Sequence, residues 1–511
     1  KQNRTLALVL FTLISCGGGG GGGSSSPPVI SQTPTLPTPP PSLSFDELKT
    51  QYEGYYEYQN QWGLDMVNAS DAYARGATGS GIVIGITDSG IDVEHPEIDA
   101  QRISSNSATC NNGDTCFVGN YQPNTYDLRH GTYVAAVAAG GLNTSSSNGM
   151  HGVAFDAEIL FVAINLGPPP DDYDPIDIGT DDGSGNVTNA PDFTGIDNFF
   201  SQLFEIYNDF NADVVNNSYG YSGNINDFTE AQVRYAFPNT IEVMSQIGVP
   251  DTEKTIYVWA AGNAGGYADQ GVDFSSPEIL PGMGYYIPEI SGHSIAVVSV
   301  DENGQISSFS NRCGVSQDYC IAAPGSDITV PYPTSTSDTG IFIGNTNDDN
   351  YNNCITDNSC YARGASGTSF AAPFVSGGLA VIADHFEGQL GSQEIVSRLF
   401  STANKKGIYA DKAIYGQGLM DLNAATEPVG QVSAMMSLSL SGPMTPAIFS
   451  NIQLTSPSFG DAITNGIGNH SVIFFDALDA PFRRSLSSLV SDYRNQIINM
   501  DGFGSIQNPI S

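Results

Sequence analysis

Between residues 60 and 427, short apolar runs rich in β-branched residues alternate with longer stretches of helical character. The runs are 82–86, 159–163, 214–215, 256–260 and 295–300, and the helix candidates are 132–139, 199–210, 229–247 and 369–385. Most runs lack the polar–apolar alternation of a half-exposed strand, so we expect strands covered on both faces. This pattern predicts an α/β fold, a three-layer sandwich with a mainly parallel sheet and helices on both faces. Ligands of such sheets bind at the carboxyl ends of the strands.

The charge balance is strongly acidic. The 511 residues include 54 Asp and Glu but only 17 Lys and Arg, which gives a net charge of −37. Nucleic acids and anionic lipid surfaces need a basic protein surface that displaces counterions, so we expect neither as a partner. The acidity itself is typical of a soluble exported protein and says little about chemistry.

The first 16 residues have the pattern of an export signal. Lys1 and Arg4 precede an apolar run, 6–14, that is too short for a permanent membrane span. The run leads into residues 13–16, Leu-Ile-Ser-Cys, which resemble a bacterial lipobox, where the cysteine becomes the lipidated first residue. We predict that Cys16 carries a lipid anchor; an ordinary signal peptide with an unrelated cysteine is the alternative.

Residues 17–59 are predicted to be a tether. Glycine fills 17–23, serine follows, and a Pro- and Thr-rich stretch extends to residue 41. Glycine makes the first part flexible and proline stiffens the second, and neither part can bury enough apolar surface to fold. We therefore expect the organised domain to begin at residue 60.

The remaining six cysteines form three pairs that are close in sequence. They are Cys110 with Cys116, Cys313 with Cys320, and Cys354 with Cys360. Six cysteines allow 15 connectivities, and we favour the local one, which closes three small loops. Disulfides indicate an oxidising compartment. A metal cluster is the alternative, but no pair has the C-x2-C spacing of a zinc site.

Two polar inserts, 167–191 and 331–361, interrupt the alternation of runs. The first holds six aspartates but does not match the spacing of an EF-hand loop. We therefore favour a solvated loop there over a calcium site.

Three reactive side chains stand where the pattern calls for core or turn residues. Asp88 ends a buried run, although a carboxylate at a strand end is common without any function. His130 opens an Ala-rich helix with Gly131 beside it, which leaves one side of the imidazole open; taken alone, it could be an ordinary surface or core histidine. Ser369 lies between a glycine-rich turn and a helix start, where unpaired N–H groups favour an oxyanion. A simple serine N-cap is the alternative for Ser369.

Together these three residues make a catalytic set. A neutral serine hydroxyl needs a base, and the base needs a carboxylate that fixes its tautomer. Asp88, His130 and Ser369 provide that set in the chain order Asp, His, Ser. Residues 87–91 (Thr-Asp-Ser-Gly-Ile), 130–135 (His-Gly-Thr-Tyr-Val-Ala) and 367–373 (Gly-Thr-Ser-Phe-Ala-Ala-Pro) resemble the three signature segments of the subtilase family. The resemblance covers about 60–427 and implies a serine endopeptidase that works through an acyl-enzyme.

The resemblance implies further roles. Residues 259–263, Trp-Ala-Ala-Gly-Asn, are similar to the family segment whose Asn donates to the oxyanion, which implies that role for Asn263. The implied substrate-binding residues are Ser218, Tyr219 and Gly220 on one segment and Ala260, Ala261 and Gly262 on the other. The chemistry implies protein or peptide substrates and no cofactor. A structural calcium of the family would bind near 142–151, where only Asn143 and Asn148 offer obvious side-chain oxygens.

The flanking sequence resembles a subgroup, the subtilisin-like passengers of autotransporters. Residues 17–59 are too short for the inhibitory prodomain of many subtilases, and residues 474–482 with 486–490 resemble the linker that precedes the autotransporter barrel. We therefore expect 428–511 to be a linker toward a barrel for which this chain is too short. The expected location is the bacterial outer membrane or cell surface, with release of the passenger as an alternative.

Two other functions share parts of this pattern. A noncatalytic surface adhesin on the same scaffold would not need Asp88, His130, Asn263 and Ser369 all intact. An esterase uses the same triad, but the G-x-S-x-G elbow expected of one is missing around Ser369.

Overall fold

The computed structural model describes residues 43–111, 115–122, 126–146, 148–166, 172–250, 253–333, 361–386, 388–436, 445–448 and 471–485. Contacts separate residues 1–43 from the unit Ser44–Ser511, and every described helix and strand belongs to the second of these units. The predicted signal, Cys16, most of the predicted tether, and Cys354 and Cys360 lie outside the described residues.

Twelve strands lie between residues 83 and 365. They are β1 Val83–Asp88, β2 Ala108–Cys110, β3 Cys116–Val118, β4 Glu158–Ala163, β5 Thr180–Asp181, β6 Val187–Thr188, β7 Val214–Asn217, β8 Ile256–Ala260, β9 Ser294–Val300, β10 Cys320–Pro324, β11 Ile328–Pro331 and β12 Tyr361–Ala365. Eight of them form the central sheet, in the order β10-β9-β8-β7-β1-β4-β2-β3. Every neighbouring pair is parallel except the β2–β3 hairpin. The predicted parallel sheet is confirmed, and all five predicted runs are strands in it.

Helices cover both faces of this sheet. They are α1 Phe45–Glu53, α2 Tyr56–Asn60, α3 Trp62–Met66, α4 Ala69–Ala74, α5 Arg129–Ala139, α6 Thr194–Asp209, α7 Glu230–Ala236, α8 Pro238–Ser245, α9 Ile279–Gly282, α10 Thr368–His385, α11 Ser392–Thr402, α12 Lys412–Tyr415 and α13 Leu422–Thr426. Val258 of β8 packs in one apolar cluster with residues of α5 and α10. Its neighbour Trp259 packs in a second cluster with residues of α6 and α8. Successive side chains of a strand point to opposite faces, so the two clusters are the two interfaces of a three-layer sandwich.

The helix predicted over 229–247 is wrong as a single element. The structure has two helices, α7 and α8, with Phe237 between them at φ −131° and ψ 43°. Pro238 explains the break, since its ring disfavours helical backbone at the preceding residue and it has no N–H to donate. Pro238 is the first residue of α8, where the missing donor costs nothing.

The predicted tether is too long at its carboxyl end. The segment from Phe45 forms α1, with Ser44 and Glu47 in a reciprocal capping box. Lys49 of this helix pairs with Asp71 of α4 at 2.8 Å, and the Tyr52 ring lies 5.3 Å from the Tyr73 ring. The capping box begins the helix and the tyrosines anchor it, so folded structure begins about fifteen residues before the predicted boundary.

The expectation of a linker over 428–511 also needs correction. Four antiparallel strands, β13 Ser433–Met436, β14 Thr445–Ile448, β15 Ser471–Phe475 and β16 Pro481–Ser485, form a sheet in the order β14-β13-β15-β16. Phe474 and Phe482 are buried in the main apolar cluster. Burial of aromatic side chains holds this hairpin against the catalytic domain, which a free linker would not do.

Two of the three predicted disulfides lie in the described residues, and both are present. Cys110–Cys116 closes the β2–β3 hairpin, and Cys313–Cys320 ties the loop before β10 to its first residue. The local pairing is therefore confirmed for these four cysteines.

The described part of the acidic insert contains the β5–β6 hairpin. Its carboxylates accept hydrogen bonds from nearby groups: Asp182 from the Ser184 backbone N–H at 2.8 Å, and Asp181 from the Thr229 hydroxyl at 2.8 Å. The aspartates thus stabilise the turn and its junction with α7.

Among the described residues, no helix combines the length and the apolar composition that a bilayer crossing requires.

Candidate active site

The carboxyl ends of three neighbouring strands, β1, β7 and β8, meet at one edge of the sheet. Their last paired positions are Thr87 with Asn217 and Asn217 with Trp259, so the chain leaves the sheet at adjacent points. Asp88 ends β1, Ser218 follows β7, and Asn263 lies three residues beyond β8. Parallel strands thus bring residues from distant parts of the chain together.

Asp88 and His130 form a direct pair. The Nδ1 atom of His130 lies 2.8 Å and 3.0 Å from the two carboxylate oxygens of Asp88. The Asp88 side chain is fully buried, whereas the His130 side chain is 36% exposed. Asp88 also accepts the backbone N–H of Ser89 at 2.7 Å, which fixes its orientation. The imidazole is therefore held by one nitrogen, and its other nitrogen, Nε2, is available for proton transfer.

The pKa of His130 reflects two opposing effects. Burial lowers the pKa, but the charge of Asp88 and the hydrogen bond to it raise the pKa by more, so the net value lies above the ordinary 6.5. A raised pKa makes the imidazole a better proton acceptor than a free histidine.

Ser369 is the second residue of α10, beside the histidine. The ring of the next residue, Phe370, lies 5.9 Å from the His130 imidazole. The Ser369 hydroxyl donates to the Ser218 carbonyl oxygen at 3.3 Å, and the Ser218 hydroxyl donates back to the Ser369 carbonyl oxygen at 2.8 Å. The helix start is therefore fastened to the end of β7. The hydroxyl of Ser369 must turn away from Ser218 before it can donate to the imidazole.

Asn263 is oriented by the same helix start. Its Oδ1 atom accepts the backbone N–H of Thr368 at 2.9 Å and the Thr368 hydroxyl at 3.1 Å. A backbone N–H can only donate, so the amide oxygen faces the helix and the Nδ2 donors face away from it. Asn263 thus lies beside the helix N-terminus, where the backbone dipoles favour negative charge, and its Nδ2 donors are not used by Thr368.

The model of the Subtilase family matches residues 79–418 of this chain, which contain Asp88, His130, Asn263 and Ser369.

The chain belongs to the subtilase family.

Individual proteins are also similar to this chain. The extracellular serine protease of Serratia marcescens is 29% identical over 72% of this chain and 34% of its own length. The major intracellular serine protease of Bacillus subtilis is 25% identical over 71% of this chain and 88% of its own length. Fervidolysin from Fervidobacterium pennivorans, a solved structure, has a TM-score of 0.48 and 20% identity over 78% of this chain and 53% of its own. The chain spans about a third of the length of the Serratia relative.

The two predicted substrate-binding segments of this subtilase flank Ser369. Residues 218–220 directly follow β7. Residue 260 is the last residue of β8, and residues 261 and 262 follow it. The backbone N–H of Gly262 donates to the Thr368 hydroxyl at 3.2 Å, which ties this segment to α10 as well. Gly262 has φ +114°, a conformation that favours glycine.

Gly131 explains how His130 comes so close to Asp88. A Cβ on Gly131 would collide with the Gly90 carbonyl oxygen and lie 3.0 Å from the Phe161 ring. The first turn of α5 therefore packs directly on the chain that leaves β1. This contact is the reason for a glycine next to the histidine.

Sequence reasoning missed Glu278, which the fold brings to the same place. Its backbone N–H donates to the Ala261 carbonyl oxygen at 2.9 Å, and a Cβ built on Gly262 would lie 2.6 Å from its Cδ atom. Burial raises the pKa of Glu278 to about 8. A glutamate directly before the apolar residues of α9 was the signal available in the sequence.

A cavity of about 620 Å³ borders His130 on α5 and β12. Its wall includes Asp127, Arg129, Tyr133 and Arg363, so it carries charge of both signs. The cavity has the size of a ligand site and lies beside the imidazole.

In the segment 142–151, where a structural calcium of the family would bind, the Asn143 side chain bonds within its own loop. Asn143 Oδ1 accepts the Ser145 backbone N–H at 3.2 Å and its hydroxyl at 2.9 Å. Within the part of the chain that the structure describes, no group of three or more His, Cys, Asp or Glu side chains is arranged to hold a metal ion.

Proposed function

We propose that this chain is a serine endopeptidase that hydrolyses peptide bonds, with Ser369 as the nucleophile. The observation that carries the proposal is the Asp88–His130 pair, 2.8 Å apart, beside the helix start that bears Ser369. Membership of the subtilase family supports it. An adhesin would have no use for a buried carboxylate that orients an exposed imidazole.

The proposed first half-reaction is acylation. The Ser369 hydroxyl rotates from the Ser218 carbonyl toward His130 and gives its proton to Nε2, and its oxygen attacks the scissile carbonyl carbon. The carbonyl oxygen becomes an oxyanion that accepts hydrogen bonds from Asn263 Nδ2 and the Ser369 backbone N–H. His130 then protonates the leaving amine, and the acyl group stays on Ser369.

The proposed second half-reaction is deacylation. A water gives its proton to His130 and attacks the acyl carbon, and His130 returns the proton to Ser369 as the carboxylic acid leaves. Asp88 stays ionised and stabilises the imidazolium in both halves.

We propose that the substrate lies extended along residues 218–220, in the manner of an added strand. The polar backbone at the end of β7 supports this, since the Ser218 carbonyl already engages the nucleophile. Residues 260–262 would then line the opposite side of the cleft, which makes all six predicted substrate-binding residues part of one groove.

We also propose that the protein is exported. The Serratia relative is named an extracellular protease, and the two disulfides of this chain are typical of oxidising compartments. Lipidation at Cys16, attachment at an outer membrane and the autotransporter arrangement remain predictions from the sequence. Acyl-chain labelling of the expressed chain and of Cys16→Ala tests the anchor.

The test of the activity is a peptide-library digestion by wild type and by Ser369→Ala. We expect cleavage of internal peptide bonds by the wild type and none above background by the variant, because the acyl-enzyme cannot form. Ser366→Ala is the matched control, since Ser366 lies in the same turn and its hydroxyl accepts the Asp327 backbone N–H instead. Equal cleavage by Ser369→Ala and wild type contradicts the proposal. Turnover of lipid esters without peptide cleavage would indicate an esterase.

A further inference from the structure

Glu278 lies between the two chain segments that border the cleft. A Cβ on Gly262 would be 2.6 Å from the Glu278 Cγ and Cδ atoms, and a Cβ on Gly220 would be 3.7 Å from Oε2. The first of these segments follows β8 and the second follows β7, so the Glu278 side chain lies next to both. Both positions are glycine, so neither segment places a side chain of its own between them and the carboxylate.

The Glu278 carboxylate has no partner among the residues that the structure describes. Its oxygens receive no hydrogen bond and form no ion pair there, although the side chain is only partly exposed. Several buried carboxylates of this domain do have donors. Asp197, for example, accepts the backbone N–H groups of Asn239 and Thr240 and the Thr240 hydroxyl at 2.7–2.9 Å.

Glu97 is a glutamate that, unlike Glu278, has hydrogen-bond donors around its carboxylate. Burial raises its pKa to about 8, as it does for Glu278. Yet Glu97 accepts the Tyr361 hydroxyl at 2.6 Å and the Met150 backbone N–H at 3.4 Å. The Glu278 oxygens receive no protein donor and are partly open to solvent, so a ligand that carries N–H groups can reach them and supply the donors that the protein does not.

The proposed function fixes which part of a substrate comes near Gly220 and Gly262. The acyl carbon bonds to Ser369 Oγ and its oxygen turns toward Asn263, while the backbone follows residues 218–220. The side chain of the residue that precedes the scissile bond then has the gap between Gly220 and Gly262 before it. A long side chain entering there meets the Glu278 carboxylate at its end.

We infer that Glu278 makes this protease select Lys or Arg immediately before the scissile bond, by pairing its carboxylate with the cationic end of that side chain. The inference rests on the proposed function and names its substrate class. Ammonium and guanidinium groups provide several donors each, which is what this carboxylate lacks. Tyr173 lies within the electrostatic range of Glu278, since burial and then that charge raise its pKa.

The test compares two peptides that differ only in the residue immediately before the scissile bond. Arginine and citrulline have nearly the same shape, but only arginine is charged. We expect the kcat/KM of wild type to be about 100-fold higher for the arginine peptide, because a buried charge-assisted hydrogen bond is lost with citrulline. In Glu278→Gln the ratio should fall to about 3-fold or less, since the amide keeps the shape but not the charge. Rates are divided by the concentration of sites that react with a fluorophosphonate, so misfolded molecules do not count.

Glu289→Gln is the matched control. Glu289 is an exposed glutamate eleven residues further on that pairs with Arg234, and its loss removes one negative charge from the same region. The arginine-to-citrulline ratio of this variant should stay at the wild-type value. A wild-type ratio near one, or a Glu278→Gln ratio equal to that of wild type, overturns the inference. The absence of any Ser369-dependent cleavage instead overturns the proposed function.

The pH dependence of the same ratio provides a second readout that needs no variant. Glu278, with a pKa of about 8, is neutral below that pH and anionic above it when the cleft is empty. The ratio should therefore rise between about pH 6 and about pH 9, while the titration of His130 affects both peptides equally and cancels. The other titratable groups near this site are Tyr173 and, around it, Asp227 and Asp273. Burial raises the pKa of the Tyr173 phenol above its ordinary value of 10, which lies outside that window. A ratio that does not change across this range contradicts the inference.

Discussion

Two buried aspartates of this domain each bond a basic side chain at 2.8 Å, and their surroundings differ in one respect. Asp88 faces His130, whose side chain is 36% exposed. Asp476 faces Arg398, and both of these side chains are at most 1% exposed. Histidine can release its proton near neutral pH, whereas arginine cannot. The first pair is therefore suited to chemistry and the second to holding the fold together.

The Arg398 pair is part of a closed network. Arg398 donates to the carbonyl oxygens of Ala425 and Glu427 and stacks on the rings of Phe386 and Phe482 at 4.7 and 5.2 Å. Asp476 accepts three further bonds, from the backbone N–H groups of Val429, Leu478 and Ala480. Every polar atom of the pair is thus used, and the network joins α11 to the β15–β16 turn. The hairpin is fastened to the catalytic domain by contacts that leave nothing free for a substrate.

The largest effect that separates the two pairs should come from Asp88→Asn. Asparagine keeps the shape but offers His130 the wrong tautomer, so kcat should fall about 10⁴-fold, a magnitude known for this pair in serine proteases, subtilisin included. The free energy of unfolding should change far less. Peptide turnover and urea unfolding of the same preparation measure both quantities. The same substitution at the other aspartate, Asp476→Asn, is the control and should leave the kcat of the folded fraction at the wild-type value.

Arg398→Met should show the reverse pattern. Removal of the guanidinium leaves the Asp476 carboxylate buried without its cation, so the free energy of unfolding should fall by about 3–5 kcal/mol. The kcat of the molecules that remain folded should match wild type, because the network does not touch His130 or Ser369. Urea unfolding measures the free energy, and peptide turnover divided by the concentration of titrated active sites measures the kcat. An unchanged free energy of unfolding would show that the C-terminal hairpin contributes nothing to the stability of the domain.

The smallest predicted difference between the Asp88–His130 pair and the Asp476–Arg398 pair is in the pH dependence of activity and stability. The pKa of His130 is raised above 6.5, so the imidazole becomes protonated as the pH falls through that raised value, and kcat/KM should then drop about tenfold per pH unit. The stability contribution of the pair has the opposite sign: it is fully present below the unfolded pKa of about 6.5 and is lost as the pH rises through the folded pKa. The Arg398 pair should contribute equally throughout this range, since arginine stays charged. Parallel pH profiles of kcat/KM and of unfolding for wild type and Arg398→Met test this, and a stability that rises with pH through the His130 transition contradicts the assignment.

The parts of this molecule that the sequence predicted are those with a local signal. Five apolar runs were recognised as strands, and Asp88 ends one of them. His130 and Ser369 lie in motifs at two predicted helix starts. The parts that sequence reasoning missed depend on partners far away in the chain. Arg398 and Asp476 are 78 residues apart, and nothing near either one indicates a buried pair. Glu278 likewise became noticeable only when Gly220 and Gly262 were placed on either side of it.

Two misreadings were avoidable, because their signals were local. Ser44 with Glu47 has the spacing of a capping box, which predicts a helix inside the supposed tether. Pro238 inside a long helical stretch predicts a break at the residue before it. In both cases the composition of a longer segment was given more weight than one residue with a specific stereochemical effect.

The most direct test of the catalytic assignment is to find which residue a fluorophosphonate modifies. Only a nucleophile activated by a neighbouring base and an oxyanion site reacts quickly with this reagent. Mass spectrometry of digested wild-type protein should show the adduct on the peptide that contains Ser369, slow formation of the same adduct in Asp88→Asn, and none in Ser369→Ala. An adduct on a different residue, or folded wild-type protein that does not react, would contradict the claim that Ser369 is the nucleophile.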